Sequence, residues 1–69
     1  MTKFEALAHE MNVEITTLDN GFYSKKCAAL AVITNEIILS DDEAIFNLSW
    51  EKQKEMIKAK FYSIFPYMA

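Results

Sequence analysis

The sequence predicts a small α+β protein in which an N-terminal and a C-terminal helix pack on a small antiparallel sheet of three or four strands. Apolar residues recur with helical spacing near both ends of the chain. Between them lie short segments rich in β-branched residues. An Asn20-Gly21 pair, which is typical of a two-residue hairpin turn, separates two of these segments. The predicted order of elements is α-β-β-(β)-β-α, in a single domain of residues 1–69 without a repeat or linker.

The first helix is predicted over residues 3–11. Thr2 and Glu5 fit a capping box, in which the Thr caps the helix and the Glu three residues later reaches back to the cap. Asn12 follows as the predicted stop. The apolar face of this helix contains Phe4, Leu7, Ala8 and Met11.

The sheet is predicted to begin with a hairpin. Residues 13–18 are β-branched and roughly alternating, so they favour a strand. Asn20-Gly21 suits a type I′ turn because both central residues of that turn need positive φ. Residues 22–24 would then pair with the first strand. The apolar run 27–33 predicts a central strand covered on both faces, and residues 37–39 predict a further short strand after a turn.

Two helical segments complete the predicted fold. Ser40-Asp41-Asp42-Glu43 fits a second capping box and predicts a short helical turn through Asn47. The last helix is predicted from about Trp50 to Phe65, with Asn47 or Ser49 as its cap and Pro66 after its end. Its expected apolar stripe contains Trp50, Ile57, Phe61, Ile64 and Phe65.

Composition excludes several classes of protein. The chain of 69 residues is 52% hydrophobic with one Gly and one Pro, which argues against disorder. A net charge of −3 without any Arg argues against direct nucleic-acid binding. The longest apolar run is far shorter than the roughly 20 residues of a membrane span. A single Cys fits a reducing compartment. We therefore expect a soluble cytoplasmic protein.

Residues that could perform catalysis or bind a metal are few. His9 and Glu10 resemble the start of an HExxH zinc motif, but Val13 stands where the second His would be. Cys27 has no CxxC partner and opens an apolar run, so we expect a small buried hydrophobe rather than a nucleophile. One Gly cannot build a glycine-rich phosphate loop. We expect no enzymatic activity, no cofactor and no metal site.

Several short motifs point to one family. They are Gly21-Phe22-Tyr23, the Val32 to Leu39 region, and Asn47-Leu48-Ser49 with Glu51-Lys52. With the predicted order of elements, they resemble the N-terminal part of ImmA/IrrE-type proteins, which are metalloproteases of phages and mobile elements that act on repressors. The spacing before Glu51 is one residue short of the family pattern, and the acidic insert at 40–46 has no counterpart there. The segment 58–63, where HExxH would fall, has no zinc ligand. The resemblance therefore implies a truncated, non-catalytic relative.

Aromatic and acidic residues predict a protein-binding surface. A core of this size cannot hide all the aromatic rings, and Tyr, Trp and Met are enriched in interface cores. The predicted surface combines aromatic residues near the C-terminal end with an acidic run. Its candidate contact residues are Tyr23, Glu36, Asp41, Asp42, Glu43, Tyr62, Tyr67 and Met68.

The sequence therefore predicts a small non-enzymatic protein–protein interaction module, of the type with which phages and mobile elements inhibit or regulate a host protein. The acidic run could imitate phosphate charges toward an enzyme that handles nucleic acids. Two alternatives stay open. One is a structural homo-oligomer, such as a homodimer, with residues 27–33 or the last helix buried between subunits. The other is a non-catalytic ImmA/IrrE-like regulator.

Overall fold

The described part of the protein is built from helices. A computed structural model describes residues 2–15 and 24–68. Along the chain lie α1 (Lys3–Glu10), α2 (Lys25–Ile38), α3 (Glu43–Phe46), α4 (Trp50–Ile64) and a short 3-10 helix (Pro66–Met68). No strand occurs within these described ranges. The predicted α+β class, with its antiparallel sheet, is therefore wrong, and the protein has a small all-α fold.

Helix α1 forms as the sequence predicts. The Thr2 hydroxyl accepts a hydrogen bond from the Glu5 backbone N–H at 3.1 Å, and the Glu5 carboxylate accepts one from the Thr2 backbone N–H at 3.4 Å. This is the reciprocal capping box. Asn12 follows the helix with a φ of 58°, a left-handed conformation that Asn tolerates better than most residues. The predicted start of α1 is confirmed, and Asn12 follows its end as predicted, although the helix ends at Glu10, one residue before the predicted boundary.

Helix α2 occupies the region predicted to hold the central strands. Ser24, expected in a hairpin strand, caps the helix by accepting a hydrogen bond from the Cys27 backbone N–H at 3.3 Å. The predicted turn at 34–36 continues the helix, and the Leu39 N–H donates to the Asn35 carbonyl at its end. Helix is favoured because the segment contains neither Gly nor Pro and has three Ala residues, the strongest helix formers. Its length also exceeds that of an ordinary strand.

The other predicted hairpin strand is only partly described. Val13 donates its backbone N–H to the Ala8 carbonyl at 2.8 Å and so closes the end of α1, and residues 13–15 form no strand. The predicted Asn20-Gly21 turn and the candidate contact residue Tyr23 lie outside the described residues.

Helices α3 and α4 agree closely with the sequence prediction. Asp42, rather than Ser40, caps α3, because its carboxylate accepts a hydrogen bond from the Ala44 backbone N–H at 2.9 Å. Ser49 caps α4 by accepting from the Lys52 backbone N–H at 3.4 Å. The last helix thus begins at the predicted residue and ends one residue before the predicted boundary, just ahead of Pro66.

The core lies where α1, α2 and α4 meet. Helix α4 contributes buried residues one turn apart, namely Gln53, Ile57 and Phe61, whereas Ile64 of the predicted stripe is exposed. Helix α2 runs antiparallel to α4, because Glu36 lies beside Lys60 and Lys26 lies beside Tyr67. The buried apolar residues are Leu7, Ala8, Met11, Val13, Cys27, Leu30, Ile33, Ile37, Ile57 and Phe61.

Candidate protein-interaction surface

Helix α2 has a buried inner face and an exposed outer face that also carries apolar residues. Its inner face packs into the core and buries Cys27, Leu30, Ile33, Thr34 and Ile37. On the opposite side, a second set of positions alternates in spacing between three and four residues. Such positions lie along one side of a helix because the helix has 3.6 residues per turn. We call this set the outer stripe, and it consists of Lys25, Ala28, Val32, Asn35 and Leu39, all of them exposed.

An open apolar groove runs between α2 and α4 on one side of the outer stripe. It has a volume of about 480 Å³. Val32 and Ile64 both line it, with 57% and 56% of their surface exposed. We call it the α2–α4 groove, and its lining consists of Ala28, Ala29, Val32, Ile33, Glu36, Lys60, Ser63 and Ile64.

A smaller apolar hollow lies on the other side of the stripe, between α2 and α1. It has a volume of about 170 Å³, and its lining consists of Phe4, Ile15, Cys27, Ala28 and Ala31. Ala28 lines both this hollow and the α2–α4 groove. At Ala28 the stripe is therefore a low ridge between two apolar depressions, a shape that allows another helix to approach closely there.

The charges of α2 oppose its helix dipole. Lys25 and Lys26 lie in its first turn, where the dipole is positive, and Glu36 lies near its last turn, where the dipole is negative. The other three α-helices each carry a glutamate in the first turn, namely Glu5, Glu43 and Glu51. The Glu36 carboxylate also lies 3.9 Å from the Lys60 ammonium, at the edge of the α2–α4 groove.

Of the predicted contact residues near the C-terminal end, Tyr67 lies beside the start of α2. Tyr67 is 72% exposed. Its ring packs edge-on against Phe65, with centroids 6.2 Å apart, and the Lys26 ammonium lies 5.3 Å from the Tyr67 ring centroid. Tyr62 and Met68 are half-buried and pack against the core. Of the predicted aromatic residues that the structure describes, Tyr67 is therefore the most available to a partner.

The predicted acidic run lies at the other end of α2. Glu36 belongs to α2 itself, and Asp41, Asp42 and Glu43 are exposed beyond its C-terminal end. The 14 residues of α2 span about 21 Å at 1.5 Å per residue. The structure therefore separates this acidic run from Tyr67 instead of joining the two in one surface.

Sequence reasoning missed the residues that form the α2–α4 groove. Val32 and Ile64 were both expected in the interior, Val32 on a covered strand and Ile64 on the buried stripe of the last helix. A signal for the outer stripe was present, because positions 28, 32, 35 and 39 repeat with helical spacing. The continuous apolar run obscured this repeat.

The structure also places His9, Glu10 and Cys27, the residues that were considered for catalysis or metal binding. His9 is exposed. The Glu10 carboxylate lies 3.1 Å from the Lys58 ammonium and 3.7 Å from that of Lys54, so it joins α1 to α4. The hydrogen bond from Lys58 lowers the pKa of Glu10. Cys27 is buried as expected, and that burial raises the pKa of its thiol. Within the described ranges, no three His, Cys, Asp or Glu residues are placed to hold a metal ion.

Comparison with known proteins found no matching family model, no matching curated protein and no matching solved structure. The resemblance to ImmA/IrrE-type proteins stays a prediction, and its Val32 to Leu39 part lies on α2 and the turn after it rather than on strands. Among the helices of residues 2–15 and 24–68, none is long and apolar enough to cross a membrane.

Proposed function

We propose that this protein is a small non-enzymatic protein-interaction module that binds a partner through the α2–α4 groove. The exposure of Val32 and Ile64 in one groove carries the proposal. Covering apolar surface contributes about 25 cal/mol per Å², so two half-exposed aliphatic side chains beside Ala28 and Ala29 favour association. A groove between two helices suits the apolar side of an amphipathic partner helix.

Charged residues at the edge of the groove would determine the direction in which a partner binds. Glu36 and Lys60 lie on opposite walls of the groove and form an exposed ion pair. Exposed pairs of this kind contribute little to stability, at most about 1 kcal/mol. Their charges are therefore available to a partner, whose own charged residues would select one direction of binding.

We further propose that this binding serves inhibition or regulation in the cytoplasm, as a phage or mobile-element protein would do. The small size of the chain and its apolar groove support a role by occupation of a surface. The single Cys, buried as a thiol, suits a reducing compartment.

The groove can be tested with two variants matched for exposure. Val32→Glu places a charge in the groove, whereas Phe46→Glu places one on α3, where Phe46 is also 56% exposed and lines neither depression. Tagged proteins would be incubated with lysate of the source cells, and the captured proteins identified by mass spectrometry. We expect Val32→Glu to lose a partner that wild type and Phe46→Glu retain.

The same experiment can reject the groove. If Val32→Glu and wild type capture the same proteins, the α2–α4 groove is not the binding site. Thermal unfolding followed by circular dichroism serves as the control for folding. Both substitutions are at exposed positions and should change the free energy of unfolding by no more than about 0.5 kcal/mol.

The acidic run supports a separate proposal about the partner. Asp41, Asp42 and Glu43 are exposed, so they could bind a basic, nucleic-acid-handling enzyme in place of phosphate. Binding should then weaken steeply with added salt. Asp41→Asn with Glu43→Gln tests this without removing the Asp42 cap of α3, and unchanged affinity would reject phosphate imitation.

A further inference from the structure

We propose that two copies of this chain associate through the outer stripe of α2, with the two α2 helices antiparallel. The inference rests on the proposed function, because the outer stripe forms one wall of the α2–α4 groove. It goes further by naming a second copy of the chain as the occupant and by fixing the direction in which the helices cross.

The spacing of the outer stripe suits helix pairing. Its positions alternate between three and four residues, the spacing that keeps a seam facing a partner helix along its length. Ala28 and Ala31 are small, so two backbones can approach closely. Val32 is the large aliphatic residue near the middle of the stripe and can fill the space above the partner's Ala28.

The charges of α2 select the antiparallel direction. A two-fold axis requires the surface to be complementary to itself. In an antiparallel pair, Lys25 of one copy lies near Glu36 of the other, so opposite charges meet at both ends of the contact. A parallel pair would bring the lysines of both copies together.

One register satisfies both the charges and the packing. If the axis passes near residue 30, Lys25 lies beside the partner's Asn35 and Glu36. The same register places Ala28 beside the partner's Val32, so that a small residue meets a larger one. The charge and volume patterns of α2 therefore agree on a single alignment.

The size of the surface indicates a weak dimer. With the axis near residue 30, residues 25–35 of the two helices overlap over about 15 Å, and a stable interface buries at least about 1,000 Å² in total. The flanking residues Ile15 and Ile64, exposed on opposite sides of the stripe, must add to the contact. We therefore expect a reversible dimer that forms at micromolar concentrations and above.

Analytical ultracentrifugation over a dilution series tests the dimer directly. We expect wild type to shift from monomer to dimer as its concentration rises, and Val32→Glu to stay monomeric. Phe46→Glu, the control at an equally exposed site outside the stripe, should associate like wild type. A wild type that remains strictly monomeric at near-millimolar concentration would overturn the proposal.

A charge exchange tests the direction of the helices. Lys25→Glu should weaken dimerisation about tenfold, because its carboxylate lies near the partner's Glu36. Its monomer should be no less stable, since glutamate suits the start of a helix better than lysine. Adding Glu36→Lys restores opposite charges and should recover most of the wild-type affinity. If this second substitution weakens association further, the antiparallel arrangement is wrong.

The outcomes separate this inference from the proposed function. A monomeric wild type whose partner capture still depends on Val32 would reject self-association and keep the groove as a binding site for another protein. A dimer that the charge exchange weakens and restores, together with partner capture that ignores Val32, would support self-association and reject binding of another protein in the groove.

Discussion

The inner and outer faces of α2 both carry apolar residues, but only the inner face is buried in the part of the chain that the structure describes. Leu30 and Ile37 on the inner face contact the core between α1 and α4. Val32 and Leu39 on the outer face remain exposed. The inner residues are mostly large, whereas the outer stripe and its flanks include Ala28 and Ala31. The large inner residues fill the core of this chain. The small residues Ala28 and Ala31, which lie beside the apolar depressions, leave room for the helix of another chain.

The largest expected effect is the difference in unfolding free energy between a substitution on the inner face and one on the outer face. Leu30→Ala removes a fully buried side chain and should lower the free energy of unfolding by about 2–5 kcal/mol. Leu39→Ala is the matched control, since Leu39 is 70% exposed and should lose no more than about 0.5 kcal/mol. Urea unfolding at low protein concentration measures both without a contribution from association. Equal losses would contradict the division of α2 into two faces.

Gln53 of α4 helps to hold α3, which covers one end of the inner face of α2. Its buried side-chain amide donates to the Ile45 carbonyl at 3.1 Å and to the Phe46 carbonyl at 3.4 Å, so it holds α3 against α4. Gln53→Leu leaves both carbonyls without this donor and should cost about 1–2 kcal/mol in unfolding free energy. Lys52→Leu, at the exposed neighbouring position, is the control. A similar small change in both variants would show that the amide contributes no more than an exposed residue.

A polar residue on each face provides the next comparison. The Thr34 hydroxyl is buried and has no hydrogen-bond partner among the residues that the structure describes, whereas Asn35 is exposed to water. Thr34→Val removes the hydroxyl with little change in shape and should raise the free energy of unfolding by about 1 kcal/mol. Thr34→Ser keeps the hydroxyl, loses a methyl group and should be destabilising. If both variants unfold more easily than wild type, the hydroxyl has a partner in solution.

The smallest expected effect is the loss of stability at low pH when the ion pair that links α1 to α4 is broken. Lys58 lowers the pKa of Glu10 below its ordinary value of 4.5. The ionised carboxylate therefore adds stability above that pH, and this contribution is lost as the pH falls through the lowered pKa. Glu10→Gln removes the titration, so its stability should fall less than that of wild type on acidification. Glu55→Gln, the same change at an exposed site on α4, is the control, and an equal change in both variants would contradict a specific role of Glu10.

The two ends of the fold could be predicted from the sequence, and the middle could not. Thr2 with Glu5 and Ser49 with Pro66 mark helix boundaries by local hydrogen bonding and proline geometry, which act whatever surrounds them. The run 27–33 has no such local mark. It is apolar on both sides, and a covered strand and a helix with two contact faces give the same hydrophobic pattern. The Ser24 cap and the uninterrupted length of the segment were the available signals for helix.

The candidate surface was less predictable than the fold. The acidic and aromatic residues could be recognised by type, but their separation by the length of α2 follows from a helix where strands were expected. In the predicted sheet the chain would reverse direction at each turn, and this would have brought different residues close together. The α2–α4 groove depends on how two helices pack, and no single sequence motif specifies that packing.

The solitary thiol of Cys27 lies on the inner face of α2, directly behind the ridge formed by Ala28. It borders the small hollow beside Phe4 and Ile15, but only 2% of its surface is exposed, so alkylation should be slow while α2 stays packed against its neighbours. Because the chain has one cysteine, each modified molecule gains a single, unambiguous mass increment. The rate of that labelling, compared with the rate in the unfolded chain, therefore reports local opening around α2 without any engineered cysteine.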